Sequence, residues 1–329
     1  MQLFNPGCLL KACSSLSVPI LGLIAALTTG ASAEPLSAQA DLSSKQFELT
    51  EPSYDLFRHV SLHDVTVQQS FAFDNVNRRL FVAQRLDGSD TADGHLCITQ
   101  LDFDGNYVGY MHLEGFGHGV SFAAEAVDSS TYLWTEIDPS SSGYGTKLTR
   151  FEFVSETTLS NEDSDLTRID PIPDASLITC SMDPVSNNLV LRYKMDDGQH
   201  IAVFPLESAK EGNFSSPLAD FLIPDVDVLA ERFQGYAAYG QYIYLLTGDS
   251  YDITGGEVNS EITTVDMNTG EVVEGPVLTK AGSTLSFREA EGMAIYETAD
   301  GEVRLFLGFA SGVDSGDRRS NLFFKNSLV

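Results

Sequence analysis

The stretch Gln69-Ser-Phe-Ala-Phe-Asp-Asn-Val-Asn-Arg-Arg-Leu80 decides the fold, because it aligns without a gap on Ile178-Thr-Cys-Ser-Met-Asp-Pro-Val-Ser-Asn-Asn-Leu189. In both copies an apolar segment runs into Asp, a polar turn and a second apolar run, the pattern of a β-hairpin. Shorter versions open at His118 (His-Gly-Val-Ser-Phe), Gln234 (Gln-Gly-Tyr-Ala-Ala) and Glu291 (Glu-Gly-Met-Ala-Ile-Tyr). The five copies are spaced by 49, 60, 56 and 57 residues, and a period of that size marks a propeller or a solenoid. Innermost blade strands line a propeller's channel. The repeat therefore predicts an all-β fold, a single β-propeller of five blades, with six or seven blades as the alternative. It also nominates the residue heading each copy as part of a ring around the channel.

Working outward, the segments between these copies carry the other strands. Leu96–Phe103 alternates, turns at Asp104-Gly105-Asn106 and resumes at Tyr107; Ile262–Asp266 turns at Asn268-Thr-Gly270 and resumes at Glu271. Glycine at such turns supplies the positive φ that hairpins require. Thr146–Phe153, His200–Phe204 and Asn321–Phe324 read as equivalent strands of other repeats. Polar insertions at 155–175, 207–232 and 249–260 separate them, and loops on a rigid scaffold are the usual seat of recognition.

Ahead of the repeats, residues 1–33 hold one charge, Lys11, then the apolar run Val18–Leu27 and the small-residue ending Ala31-Ser-Ala33. This three-part pattern predicts a secretory signal peptide. Residues 34–58 read as an extended N-terminal segment suited to closing the last blade, and 59–329 as the propeller. No later stretch reaches the roughly 18 apolar residues of a membrane-spanning helix, so no membrane insertion is expected. The formal charge of −28 becomes −29 once Lys11 leaves with the leader. Such a surface disfavours nucleic acid and other polyanions, unless residues such as Arg288, Arg318, Arg319 and Lys147 make a local basic patch. The expectation is a secreted, monomeric protein.

Two cysteines remain beyond the leader, Cys97 and Cys180. Cys180 aligns with Phe71, an inward position, which favours buried free thiols over a disulfide. Asn213-Phe-Ser215 is a glycosylation sequon of use only in a eukaryotic host.

Among residues able to carry chemistry, His118 stands out, set between glycines in Gly115-Phe-Gly-His-Gly119. Its imidazole is a general base or a hydrogen-bonding group near neutral pH. Tyr144, between glycines in Gly143-Tyr-Gly145, offers a phenolic acid or a face for stacking on a sugar. Together with a cation they meet the minimum for β-elimination at a uronic acid, the base removing the C5 proton while the phenol protonates the leaving oxygen. The milder reading has them hydrogen-bonding across the channel mouth. Gln69, Gln234 and Glu291 share the position of His118, and such a polar ring suits hydroxyl-rich ligands. Glu125 and Glu136 flank the second repeat's strands, with the single Trp134 between them reading as core.

Metal signals are weak. Asp102-Phe-Asp-Gly-Asn106 lacks the closing Glu of a calcium loop and reads as a turn. His59 and His63 have helical spacing in a segment that looks extended. Cofactor-binding glycine motifs and serine-hydrolase elbows are absent. No cofactor and no metal site is assigned, a structural calcium ion being the one alternative left open.

Six strings in order, Gln69–Asn77, Gly115–Gly119, Tyr132–Glu136, Gly143–Lys147, Glu291–Tyr296 and Leu307–Gly312, resemble the β-propeller family of teichoic acid biosynthesis protein C-like and staphylococcal podophage receptor-binding proteins. The resemblance covers roughly residues 60–329. It implies a five-bladed propeller that associates with a glycan or cell-wall glycopolymer. Matching positions are Gln69, His118, Glu136, Tyr144, Lys147, Gln234 and Glu291; Arg288 joins them as a candidate cation. The chain departs from the pattern at Ile178, where the other copies present a polar head, and its acidity suits an anionic polymer poorly. The reading is a secreted propeller that recognises an extracellular or cell-surface carbohydrate at its channel mouth. The alternatives are a polysaccharide-degrading enzyme, a lyase before a glycoside hydrolase, and a protein-interaction scaffold.

Overall fold

In a computed structural model, which describes residues 42–224 and 233–329, the five repeats form five blades. Strand β1 (Tyr54–Val60) precedes the first full blade, which consists of β2 (Gln68–Asp74), β3 (Arg79–Arg85), β4 (Leu96–Leu101) and β5 (Tyr107–Glu114). The second has β6 (Ala123–Val127), β7 (Ser130–Pro139) and β8 (Gly145–Glu152), while β9 (Thr157–Ser160) returns to pair in parallel with β5. The third contains β10 (Ser176–Asp183), β11 (Asn188–Met195), β12 (Gly198–Pro205) and β13 (Ala219–Leu222). The fourth contains β14 (Phe233–Tyr239), β15 (Tyr242–Thr247), β16 (Glu261–Asp266) and β17 (Glu271–Leu278). The last is β18 (Glu289–Glu297), β19 (Val303–Ser311), β20 (Arg319–Lys325) and β1 on its outer edge.

The ring closes when β1 pairs antiparallel with β20, setting Tyr54 opposite Phe324 and Val60 opposite Ser320. A second tie joins Phe47 to Leu328, with Gln46 and Val329 exchanging backbone hydrogen bonds of 3.1 and 2.8 Å. Closure consumes the unpaired edge that a lone sheet would expose. β1 straddles the expected boundary at 58/59, so the propeller takes in part of the segment read as a preceding extension. The expected leader, 1–33, lies outside the described residues.

Each sheet buries both faces against its neighbours, so five apolar clusters fill the five gaps between blades. Phe81, Leu113 and Leu133 occupy the first gap, and Trp134, Leu191 and Phe204 the second. Tyr236, Val203 and Leu245 follow, then Leu246, Leu305 and Phe309, then Phe71, Val82 and Phe306. Trp134 is fully buried and donates from Nε1 to Glu125 at 2.8 Å, as expected of a core residue. Cys97 and Cys180 are both buried and unpaired.

The inner strands β2, β6, β10, β14 and β18 surround the axis. Serine hydroxyls knit three of them together: Ser70 donates to the Gly119 carbonyl at 2.5 Å and Ser121 to that of Cys180 at 2.8 Å. Gly292 permits β18 to approach β2 so closely that a Cβ there would lie 2.7 Å from the Ser70 Cα.

At the far end of the inner strands, the two gap-free copies have the same construction. Asp74 accepts from the backbone N–H groups of Val76 and Asn77, and Asp183 from those of Val185 and Ser186. The free oxygen of each then reaches the next blade, where Thr131 Oγ1 donates to Asp74 at 2.5 Å and the Gly240 N–H to Asp183 at 2.8 Å. The aspartate that ends each copy therefore sets a turn and staples two blades. Among the described residues no helix is long and apolar enough to cross a membrane.

Candidate functional site at the channel mouth

The heads of four inner-strand repeats meet in one cavity of about 540 Å³, lined by Gln69, His118, Gln234 and Glu291 together with Tyr144. Strand alternation explains part of this. In β18, Glu289 and Glu291 are two residues apart and share a face, and both line the cavity. Arg85 enters from the end of β3 and Arg318 from the loop before β20. Phe233, the first residue of β14, supplies an apolar wall, and the Arg192 guanidinium lies over its ring at 3.7 Å from the centroid.

Glu136 builds one side of the mouth without lining it. Its carboxylate is fully buried and accepts from the N–H of Gly119 at 2.7 Å and of Gly145 at 2.5 Å. One side chain thereby ties the loop holding His118 to the strand that follows Tyr144. A Cβ on Gly117 would lie 2.3 Å from the Glu136 carboxyl carbon, which explains a glycine there. Burial pushes the Glu136 carboxyl up to about 7, against the opposing pull of these N–H groups.

His118 and Tyr144 stack in parallel, ring centroids 4.7 Å apart and planes within 9°. They form one stacked aromatic platform instead of standing on opposite sides of a bound molecule. Burial, helped by the nearby charge of Arg85, holds the His118 imidazole down at about 4, and its buried Nδ1 has no hydrogen-bond partner. Burial also raises the Tyr144 phenol above its ordinary value. At neutral pH both groups are uncharged, and His118 is a much weaker base than an exposed imidazole.

Glu291 is only 5% exposed. Its carboxyl is pushed well above the usual carboxylate range by burial first and by Glu289 second. Burial likewise raises Glu289, with Arg318 pulling the other way.

The remaining expected residues lie elsewhere. Lys147 sits 3.7 Å from Asp138 and does not line the cavity. Arg288 points away from it, fully buried, donating to the carbonyls of Ala281 and Thr279 and to Ser260 Oγ. Ile178 is core, completely buried between the second and third blades; in its sector the buried Arg192 is near Tyr144 and Glu136. Arg85, Phe233, Glu289 and Arg192 were not singled out in the sequence. Glu289 alone had a readable signal, its spacing of two from Glu291.

A closed ring of five blades with a polar cavity at one mouth defines a five-bladed β-propeller. The chain belongs to the family described as the phage five-bladed β-propeller receptor-binding platform domain, whose model matches residues 67–324. It is 27% identical over 294 residues to a major teichoic acid biosynthesis protein C of Bacillus subtilis (strain 168), covering 85% of this chain and 64% of that one. The chain thus spans less than two thirds of this curated relative. Among solved structures, the tail fiber of Staphylococcus aureus phage P68 superposes with a TM-score of 0.66 at 20% identity, over 83% of this chain and 52% of the fiber. An α-L-arabinofuranosidase from Lactobacillus brevis gives 0.50 at 12% identity, over 80% and 92%. These two likenesses speak for the fold alone.

Proposed function

We propose that the mouth cavity binds a segment of an extracellular, cell-surface carbohydrate and releases it unchanged. The observation that carries this reading is the convergence on one cavity of an aromatic platform, His118 on Tyr144, with polar heads from β2, β14 and β18. Sugars present an apolar ring face and a rim of hydroxyls, and an aromatic face beside amides and carboxyls matches both. The family's receptor-binding description and the glycopolymer link in the B. subtilis relative's name support the same class of ligand. Although the chain carries −28, the cavity sets Arg85 and Arg318 against Glu289 and Glu291, whose carboxyls burial pushes above the usual range. The ligand best suited is therefore a hydroxyl-rich polymer of neutral or modest negative charge.

Turnover is the second reading, since Glu289 and Glu291 are two carboxyls in one cavity. They stand on one face of one strand, whereas a glycosidase places its pair on either side of the scissile bond. A lyase would need His118 and Tyr144 to act as base and acid across a substrate. Their stacking and the weakened imidazole argue against it. The working protein would then be a secreted monomer, carried out of the cell by the leader at 1–33.

The test is retention of the purified protein on immobilised cell-wall glycopolymer, with reducing ends and unsaturated product assayed in the same tubes. Retention lost in Tyr144→Ala, with no product from the wild type, is expected. Product formed by the wild type and lost in His118→Ala would establish an enzyme instead.

A further inference from the structure

Away from the mouth, the segment joining β1 to β2 crosses the outer part of the first blade and places His63 and Asp64 against His112 of β5. One ligand atom from each lies within 4.8 Å of the other two. His63 is exposed, whereas Asp64 and His112 are half-buried. The buried Nε2 of His112 has no hydrogen-bond partner, an unusual state for a buried polar atom. The surroundings hold the three residues in place. Tyr110 stacks on His63, centroids 3.5 Å apart and planes within 9°, and the Tyr107 hydroxyl lies 3.4 Å from His63 Nδ1. The segment itself is pinned by Gln84, which donates to the carbonyls of Asp64 and Thr66 at 3.0 and 2.7 Å, and by the His63 N–H donating to Thr99 at 3.0 Å.

We propose that His63, Asp64 and His112 bind a divalent transition ion of the zinc class. Two imidazoles and one carboxylate are a borderline-soft donor set that suits zinc or nickel and not calcium. Tetrahedral zinc holds its ligand atoms about 3.3 Å apart, given bonds of about 2.0 Å. The three ligand atoms, within 4.8 Å of one another, would draw together on binding, and the exposed side at His63 leaves a fourth position for water. The Tyr107 hydroxyl then serves the outer shell, fixing the His63 ring. The bound ion would strap the β1–β2 connection to the blade beneath. Thr66 and Val67 of this connection line the mouth cavity, so the strap sits beside the ligand site while being separate from it.

The experiment uses the untagged purified chain, stripped with chelator and dialysed against ZnCl2, NiCl2 or CaCl2, with metal counted by mass spectrometry and melting followed in parallel. One equivalent of zinc or nickel, no calcium, and a melting temperature raised by metal are expected. His63→Ala, an exposed change that leaves the fold intact, should weaken zinc binding at least about tenfold, as should His112→Gln. Absence of stoichiometric zinc, or zinc held equally by both variants, would overturn the site. Neither result depends on whether the mouth binds sugar.

Discussion

The two ends of the inner strands are made from the same repeat, yet they treat their polar groups in opposite ways. At the turn end, Asp74 and Asp183 are buried with both oxygens accepting hydrogen bonds. At the mouth, Glu291 is nearly as buried but its carboxyl, pushed upward by burial and by Glu289, opens into the cavity, and the buried His118 Nδ1 is unpartnered. Buried polar groups are normally paired within the protein. A repeat that satisfies one end and leaves the other open has its structural role at the first, and the proposed recognition falls at the second.

Breaking the turn end should give the largest effect on stability. Asp183→Ala strands the N–H groups of Val185, Ser186 and Gly240, and should cost about 3 kcal/mol in denaturant unfolding, with glycopolymer retention by the folded fraction unchanged. At the mouth the pattern should reverse. Tyr144→Ala removes half of the platform and should weaken retention at least about tenfold, with a small change in melting temperature. Glu291→Gln should preserve stability, because burial already disfavours the charged carboxylate that the neutral amide replaces. Its loss of affinity should be smaller, and gel-shift or calorimetric titration would rank the two.

The pH dependence sharpens the contrast within the mouth. Glu136 has a folded-state value of about 7 against 4.5. Its contribution to stability is present below 4.5 and is lost as pH rises through 7. His118 has a folded value of about 4 against 6.5, so its contribution is present above 6.5 and is lost as pH falls through 4. The two slopes oppose each other across nearly one window. Glu136→Gln should therefore make melting temperature rise more steeply with pH between 4.5 and 7, and His118→Asn should make it rise less. The smallest effect belongs to Lys147→Ala, which breaks only a partly exposed pair with Asp138 and should leave both stability and retention unchanged.

How much of this could be read from the sequence follows from the same physics. The ring members Gln69, His118, Gln234 and Glu291 were legible because an inner strand repeats at a fixed period and its head has one geometric place. Tyr144 was legible through its flanking glycines. Glu136 was legible as a residue of interest, but its task, holding two loops by their N–H groups, depends on a close approach to Gly117 that only the fold creates. Arg85 and Phe233 reach the cavity because their strands end there, and no local pattern announces that. Arg288 misled because it precedes β18 in a left-handed turn (φ 36°) that sends its guanidinium to Ala281, Thr279 and Ser260, while its neighbour Glu289 lines the cavity. The helical spacing of His59 and His63 carried no site, because their segment is extended. In a β fold the partner of His63 comes from another strand, and it is His112.

The most direct measurement is a calorimetric titration of soluble wall-glycopolymer fragments into the wild type, Tyr144→Ala and Asp183→Ala, at a temperature where all three are folded. The account predicts saturable binding by the wild type and by Asp183→Ala, loss of at least about tenfold in Tyr144→Ala, and no cleaved product in any cell. Equal binding by all three, or binding lost only with Asp183→Ala, would contradict the placement of recognition at the mouth.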